Sequence, residues 1–174
     1  MKAEKLSLMS IMLGLALIIF IIEAQIPPVV PVPGIKLGLA NIITLMSLYI
    51  LGRGETFLIL ILRIILSSIF TGNMTGFLYS AAGGIVCFLF MSVTALFVKE
   101  NKMWITSEFG ALGHNIGQIV AAVVVTGTPQ VIWYLPVLII SAVITGLFTG
   151  ISAQTALKCL KKTNIDNIFR GQDK

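Results

Sequence analysis

LSLMSIMLGLALIIFIIEAQ, residues 6–25, contains one ionisable side chain in twenty residues, Glu23, close to its end. A bilayer core of roughly 30 Å is crossed by about 20 apolar residues in a helix. The stretch therefore predicts a transmembrane span and decides the class of the chain. The rest of the sequence agrees. Hydrophobic residues make up 57% of the 174 residues, charged residues 11%, and the mean hydropathy is +1.01. A soluble domain carries about a quarter charged residues, so most of this protein's surface is expected to face lipid. The length allows about six spans with short loops and leaves no room for a soluble domain.

Outward from the first span, the sequence predicts an all-α integral membrane protein, a compact bundle of six transmembrane helices in one domain over residues 1–174. Helix 2 is expected over about 37–51, short and preceded by a proline-rich stretch. Helices 3 to 6 are expected over about 56–70, 76–98, 105–126 and 131–160. The breaks are Gly/Pro-rich: Pro27-Pro28, Pro31, Pro33-Gly34, Gly52-Arg53-Gly54, Gly72-Asn73 and Gly127-Thr128-Pro129. The apolar runs are too long, and alternate too little, for barrel strands.

Lys/Arg bias sets the expected orientation. Lys2, Lys5, Arg53, Lys99, Lys102, Lys158, Lys161, Lys162, Arg170 and Lys174 fall on one side, against Lys36 on the other. Both termini are thus expected in the cytoplasm of a plasma-membrane protein, with a basic tail at about 158–174 that can touch anionic lipid. The first apolar run ends in IEAQIP with no small-x-small cleavage pattern, and it reads as a retained helix. Cys87 and Cys159 lack metal-like spacing, and with one histidine no metal site is expected.

Polar residues at membrane depth are costly and point to function. The segment PGIKLGLANIITL (Pro33–Leu45) places Lys36 and Asn41 at the start of helix 2, and GHNIGQ (Gly113–Gln118) lies in helix 5. Arg63 sits near the middle of helix 3, and Asn73 in the turn that follows. On helix 5, Glu108, His114, Asn115 and Gln118 fall within an arc of about 120° at 100° per residue. That arc must face the bundle interior or a cavity. The competing reading is that Arg63 pairs with Glu23 or Glu108, and that the amides tie helices together. Small residues recur at Ser10-x-x-x-Gly14, Gly113-x-x-x-Gly117 and Gly146-x-x-x-Gly150. Most are expected to pack helices internally; the helix 1 pair is the candidate docking face. The stretch QIPPVVPVPG (Gln25–Gly34), stiffened by Pro27, Pro28, Pro31 and Pro33, suits a lid over a polar cavity or a plain connector.

No GxxxxGK[ST] segment is present, and aspartate occurs only at Asp166 and Asp173. Energy for any transport would come from a partner or an ion gradient.

PGIKLGLANIITL, Arg63 with SSIFTGN (Ser67–Asn73), SAAGG (Ser80–Gly84) and GHNIGQ resemble the family called heptaprenyl diphosphate synthase component I, or the Gx transporter family. Through it the chain resembles the S components of energy-coupling factor (ECF) transporters. That resemblance implies six helices, cytoplasmic termini and no catalytic role or cofactor. It implies a small solute bound at the outer side under the loop between helices 1 and 2, and a transmembrane scaffold subunit with two ATPases as partners. Ser10 and Gly14 take the positions of the scaffold-contacting small residues, where alanines are usual. Prenyl diphosphate synthases hold magnesium with Asp-rich segments, and this chain has no adjacent aspartate pair. The expectation is a solute-binding membrane subunit. Lys36 and Arg63 would supply charge for an acidic or phosphorylated solute, and Asn41, Asn73, Asn115 and Gln118 hydrogen bonds. His114 would donate or accept, while Glu23 or Glu108 would balance a cation on the ligand or pair with Arg63. The alternatives are an accessory membrane subunit of polyprenyl diphosphate or quinone biosynthesis, and an autonomous ion-coupled carrier.

Overall fold

The computed structural model describes residues 3–26 and 36–162, and these form an up-and-down helical bundle. Six helices follow one another: α1 (Ala3–Glu23), α2 (Asn41–Ile50), α3 (Arg53–Thr71), α4 (Met74–Thr94), α5 (Met103–Thr126) and α6 (Leu135–Lys162). Short 3-10 turns, Glu100–Lys102 and Pro129–Tyr134, lead into α5 and α6. Tight ends separate them. α3 stops at Gly72, whose left-handed φ of 61° lets its N–H close on the Ser68 carbonyl. Asn73 then starts α4 by accepting the Gly76 N–H at 2.8 Å.

Five of the six helices are long and apolar enough to cross a membrane. α2 is the exception and corrects the expected sixth span. Its ten residues reach about 15 Å at 1.5 Å each, half a bilayer core. It packs against the other five helices, and its residues 43–48 are all buried. A helix wrapped by others on all sides need not span, because its ends meet protein rather than lipid.

The surface is apolar and the interior holds polar groups. Ile11, Leu15, Ile18 and Ile22 of α1 are exposed, as are Ile140, Ile144 and Phe148 of α6. Glu23, Asn41, Arg63, His114 and Gln118 are all at least 95% buried. The apolar core joins Met9, Met12 and Ala16 to Leu45, Leu60, Ile64 and Met91. A smaller cluster, Tyr79, Ile119, Ala122 and Leu138, lies toward the opposite end.

α4, α5 and α6 approach most closely, and small residues permit it. A Cβ on Gly117 would lie 2.5 Å from the Ala82 carbonyl oxygen of α4, and one on Gly150 2.5 Å from the Trp104 Cα of α5. The helix 5 and helix 6 glycine pairs are therefore internal packing surfaces, as expected. Gly14 differs: nothing lies within 4 Å of the place its Cβ would take, and Ser10 beside it is exposed.

The basic residues gather at one end. Lys5 pairs with Glu55 across α1 and α3, and Lys161 with Glu100 across α6 and the turn before α5. The Tyr49 hydroxyl donates to the Val98 carbonyl at the same end and meets Thr106 Oγ1 at 2.8 Å.

Candidate functional site

The polar residues converge where the chain enters α2. Residues 36–40 are non-helical, and backbone of this kind at membrane depth must be satisfied by protein or by a lined cavity. Three partners do so. The Glu23 carboxylate, at the end of α1, accepts the Gly38 N–H at 2.5 Å, and the Ala40 N–H also bears on it. Gln118 of α5, with its carboxamide turned to suit its neighbours, donates to the Lys36 carbonyl at 3.0 Å. Its oxygen accepts the Lys36 N–H at 3.1 Å and His114 Nε2–H at 3.2 Å. The first amides of α2 fold back on this segment, Asn41 N–H to Gly38 O and Ile42 N–H to Leu39 O.

Gly38 is required here twice over. Its φ is +80°, which L side chains rarely adopt. A Cβ would also stand 2.8 Å from Asn41 Nδ2 and 2.9 Å from His114 Cδ2. The opposite side of the imidazole meets Gly83 of α4, where a Cβ would lie 3.0 Å from Cε1 and Nδ1. His114 is thus clasped between two glycines. Nδ1, the other ring nitrogen, is buried on the Gly83 side, where the Gly83 backbone bears on it. Asn41 Oδ1 is buried and unpartnered.

Charge surrounds this centre. Arg63, 5% exposed, reaches from α3 toward α4, where its Nη2 would stand 3.4 Å from a Cβ on Gly84. It lies within electrostatic range of Glu23 and His114. The Lys36 ammonium sits 3.6 Å over the Phe20 ring, a cation–π contact. One carboxylate, Glu23, thus stands against two cations.

The structure brings together Glu23, Lys36, Asn41, Arg63, His114 and Gln118. Three other predicted residues lie elsewhere. Asn73 is the exposed cap of α4. Asn115 Nδ2 donates to the Leu138 carbonyl at 2.6 Å and ties α5 to α6. Glu108 lies against α6, where a Cβ on Gly146 would be 3.0 Å from its Oε2. The lid prolines Pro27, Pro28, Pro31 and Pro33 lie outside the described residues. Gly38, Gly83 and Phe20 went unpredicted; the positive φ and the glycine clasp leave no mark in a hydropathy pattern. Among the described residues, no group of three or more His, Cys, Asp or Glu is placed to hold a metal ion.

A family model, that of heptaprenyl diphosphate synthase component I, matches residues 12–156. No curated protein and no solved structure matches the chain.

Proposed function

Because the chain belongs to the heptaprenyl diphosphate synthase component I family, we propose that it is a membrane-embedded accessory subunit of polyprenyl diphosphate synthesis. The family match carries this reading, and the multi-pass helical bundle supports it. Magnesium-assisted diphosphate chemistry needs several carboxylates converging on the metal. The residues here do not fit that need. The two aspartates are confined to the last nine residues, and Glu23, the one carboxylate in the buried centre, is engaged with backbone amides. The catalytic carboxylates then belong to a soluble partner chain, and this subunit anchors that chain at the membrane. The test is retention: membranes containing this protein should hold a soluble, Asp-rich prenyl synthase through a salt wash, and membranes lacking it should release it. Equal release from both would remove the reading.

The buried centre favours a second reading, a solute-binding subunit for uptake that resembles ECF S components and works with a transmembrane scaffold and ATPases. Two cations against one carboxylate suit an acidic or phosphorylated solute, and the unpartnered Asn41 Oδ1 would accept from a donor group on it. Native mass spectrometry of the protein in mild detergent would then find a stoichiometric metabolite, lost in a folded Lys36→Ala or Arg63→Ala variant. Unchanged occupancy in both variants would exclude these residues from its binding.

A further inference from the structure

A second polar feature lies at the opposite, basic end of the bundle. The last turns of α6 and the 3-10 turn before α5 border a half-open surface cavity of about 180 Å3, lined by Glu100, Asn101, Gln154, Leu157, Lys158 and Lys161. Leu157 is buried, Lys158 exposed, and Lys161 pairs with Glu100. Gln154 Oε1 is buried in the wall without a hydrogen-bond partner.

The order of residues along α6 gives the cavity its polarity. Ile151, Gln154, Lys158 and Lys161 follow at spacings of three, four and three, and so share one helix face. Ile151 is an exposed apolar side chain. Over about 15 Å this face passes from hydrocarbon through an amide to two ammonium groups. An anionic amphiphile has the same order: tail, linker, charged head. α5 begins beside the cavity with no side-chain cap and no acidic residue in its first turn, which adds to the positive field there.

We propose that this cavity binds the phosphate or diphosphate head of an anionic amphiphile in the leaflet on the basic side. Lys158 and Lys161 take the head, the carboxamide N–H groups of Gln154 and Asn101 donate to its oxygens, and the tail leaves along Ile151 into lipid. Glu100 is the internal competitor: it holds Lys161 when the cavity is empty and gives it up to the head. The site goes beyond the synthase-subunit reading and stands independently of it.

The test uses the full chain in phosphatidylcholine nanodiscs, with native mass spectrometry counting bound farnesyl diphosphate, phosphatidylglycerol or inorganic diphosphate. The Lys158→Gln/Lys161→Gln variant should bind the preferred amphiphile about tenfold more weakly. Glu100→Gln should bind it more tightly, because the competing carboxylate is gone. The charge-matched control, Lys99→Gln/Lys162→Gln, removes two exposed lysines outside the cavity and should change little. Preference for farnesyl diphosphate identifies a prenyl diphosphate; preference for phosphatidylglycerol identifies a structural phospholipid. Competition by inorganic diphosphate would show that the head alone is recognised. Equal weakening in both double variants would reduce the effect to surface charge and overturn the site. So would unchanged binding in Lys158→Gln/Lys161→Gln, looser binding in Glu100→Gln, or no binding of any probe to the natural chain. None of these results bears on whether a soluble synthase is retained, so the two readings fail separately.

Discussion

Gly38 and Glu23 show how single residues hold the entry to α2. Gly38 combines a φ of +80° with close contact to Asn41 and His114. Gly38→Ala should therefore cost about 1–3 kcal/mol, read as a lower melting temperature in detergent. An unchanged melting temperature would mean that the imidazole moves aside freely. Glu23 is 4% exposed and lies between backbone amides and the charges of Arg63 and Lys36. Removing one member of a buried charged set leaves the others uncompensated, at about 3–5 kcal/mol. Glu23→Gln keeps the shape and tests the charge alone. A loss near that size indicates that the carboxylate balances Arg63, whereas no loss indicates that hydrogen bonding is all it supplies.

The helices pack through glycine where they touch and show bulky apolar side chains where they do not. Gly117 and Gly14 make a direct comparison. A methyl at Gly117 would meet the Ala82 carbonyl at 2.5 Å, and one at Gly14 would meet open space. Gly117→Ala should push α5 off α4 and cost about 1–3 kcal/mol, whereas Gly14→Ala should leave the melting temperature unchanged. If Gly14 lies on a docking face, Gly14→Leu should leave the isolated protein folded and reduce recovery of a membrane partner. α2 marks the element scale most clearly. Its ten residues are too short to span, and five neighbouring helices supply the contacts that lipid cannot.

The whole molecule is polarised. Lys5, Arg53, Lys99, Lys102, Lys158, Lys161 and Lys162 sit at one end, and the Glu23–Arg63–His114 centre lies away from it. The positive-inside rule predicts that the basic end of such a molecule faces the cytoplasm. A C-terminal green fluorescent protein fusion should then fluoresce, and a C-terminal alkaline phosphatase fusion should be inactive. The reverse pattern would invert the bundle. It would also move the lysine-lined cavity to the outer leaflet, out of reach of a cytoplasmic synthase.

Residues 6–25 alone determined the class of this protein, because transfer of an apolar helix into hydrocarbon depends on composition and length and not on neighbours. The glycine spacings on helices 5 and 6 were legible for the same reason: each is a property of one segment. The buried centre was legible in part. Helical periodicity put Glu108, His114, Asn115 and Gln118 on one arc, but an arc of about 120° is wide enough to face more than one neighbour. Tertiary structure divided it, giving Glu108 and Asn115 to α6, and His114 and Gln118 to α4 and the segment before α2. It also decided that Glu23 closes on Gly38, fifteen residues away, and that α2 stops short of a span. Those outcomes depend on backbone φ and on which helices adjoin, and hydropathy along a single segment carries neither.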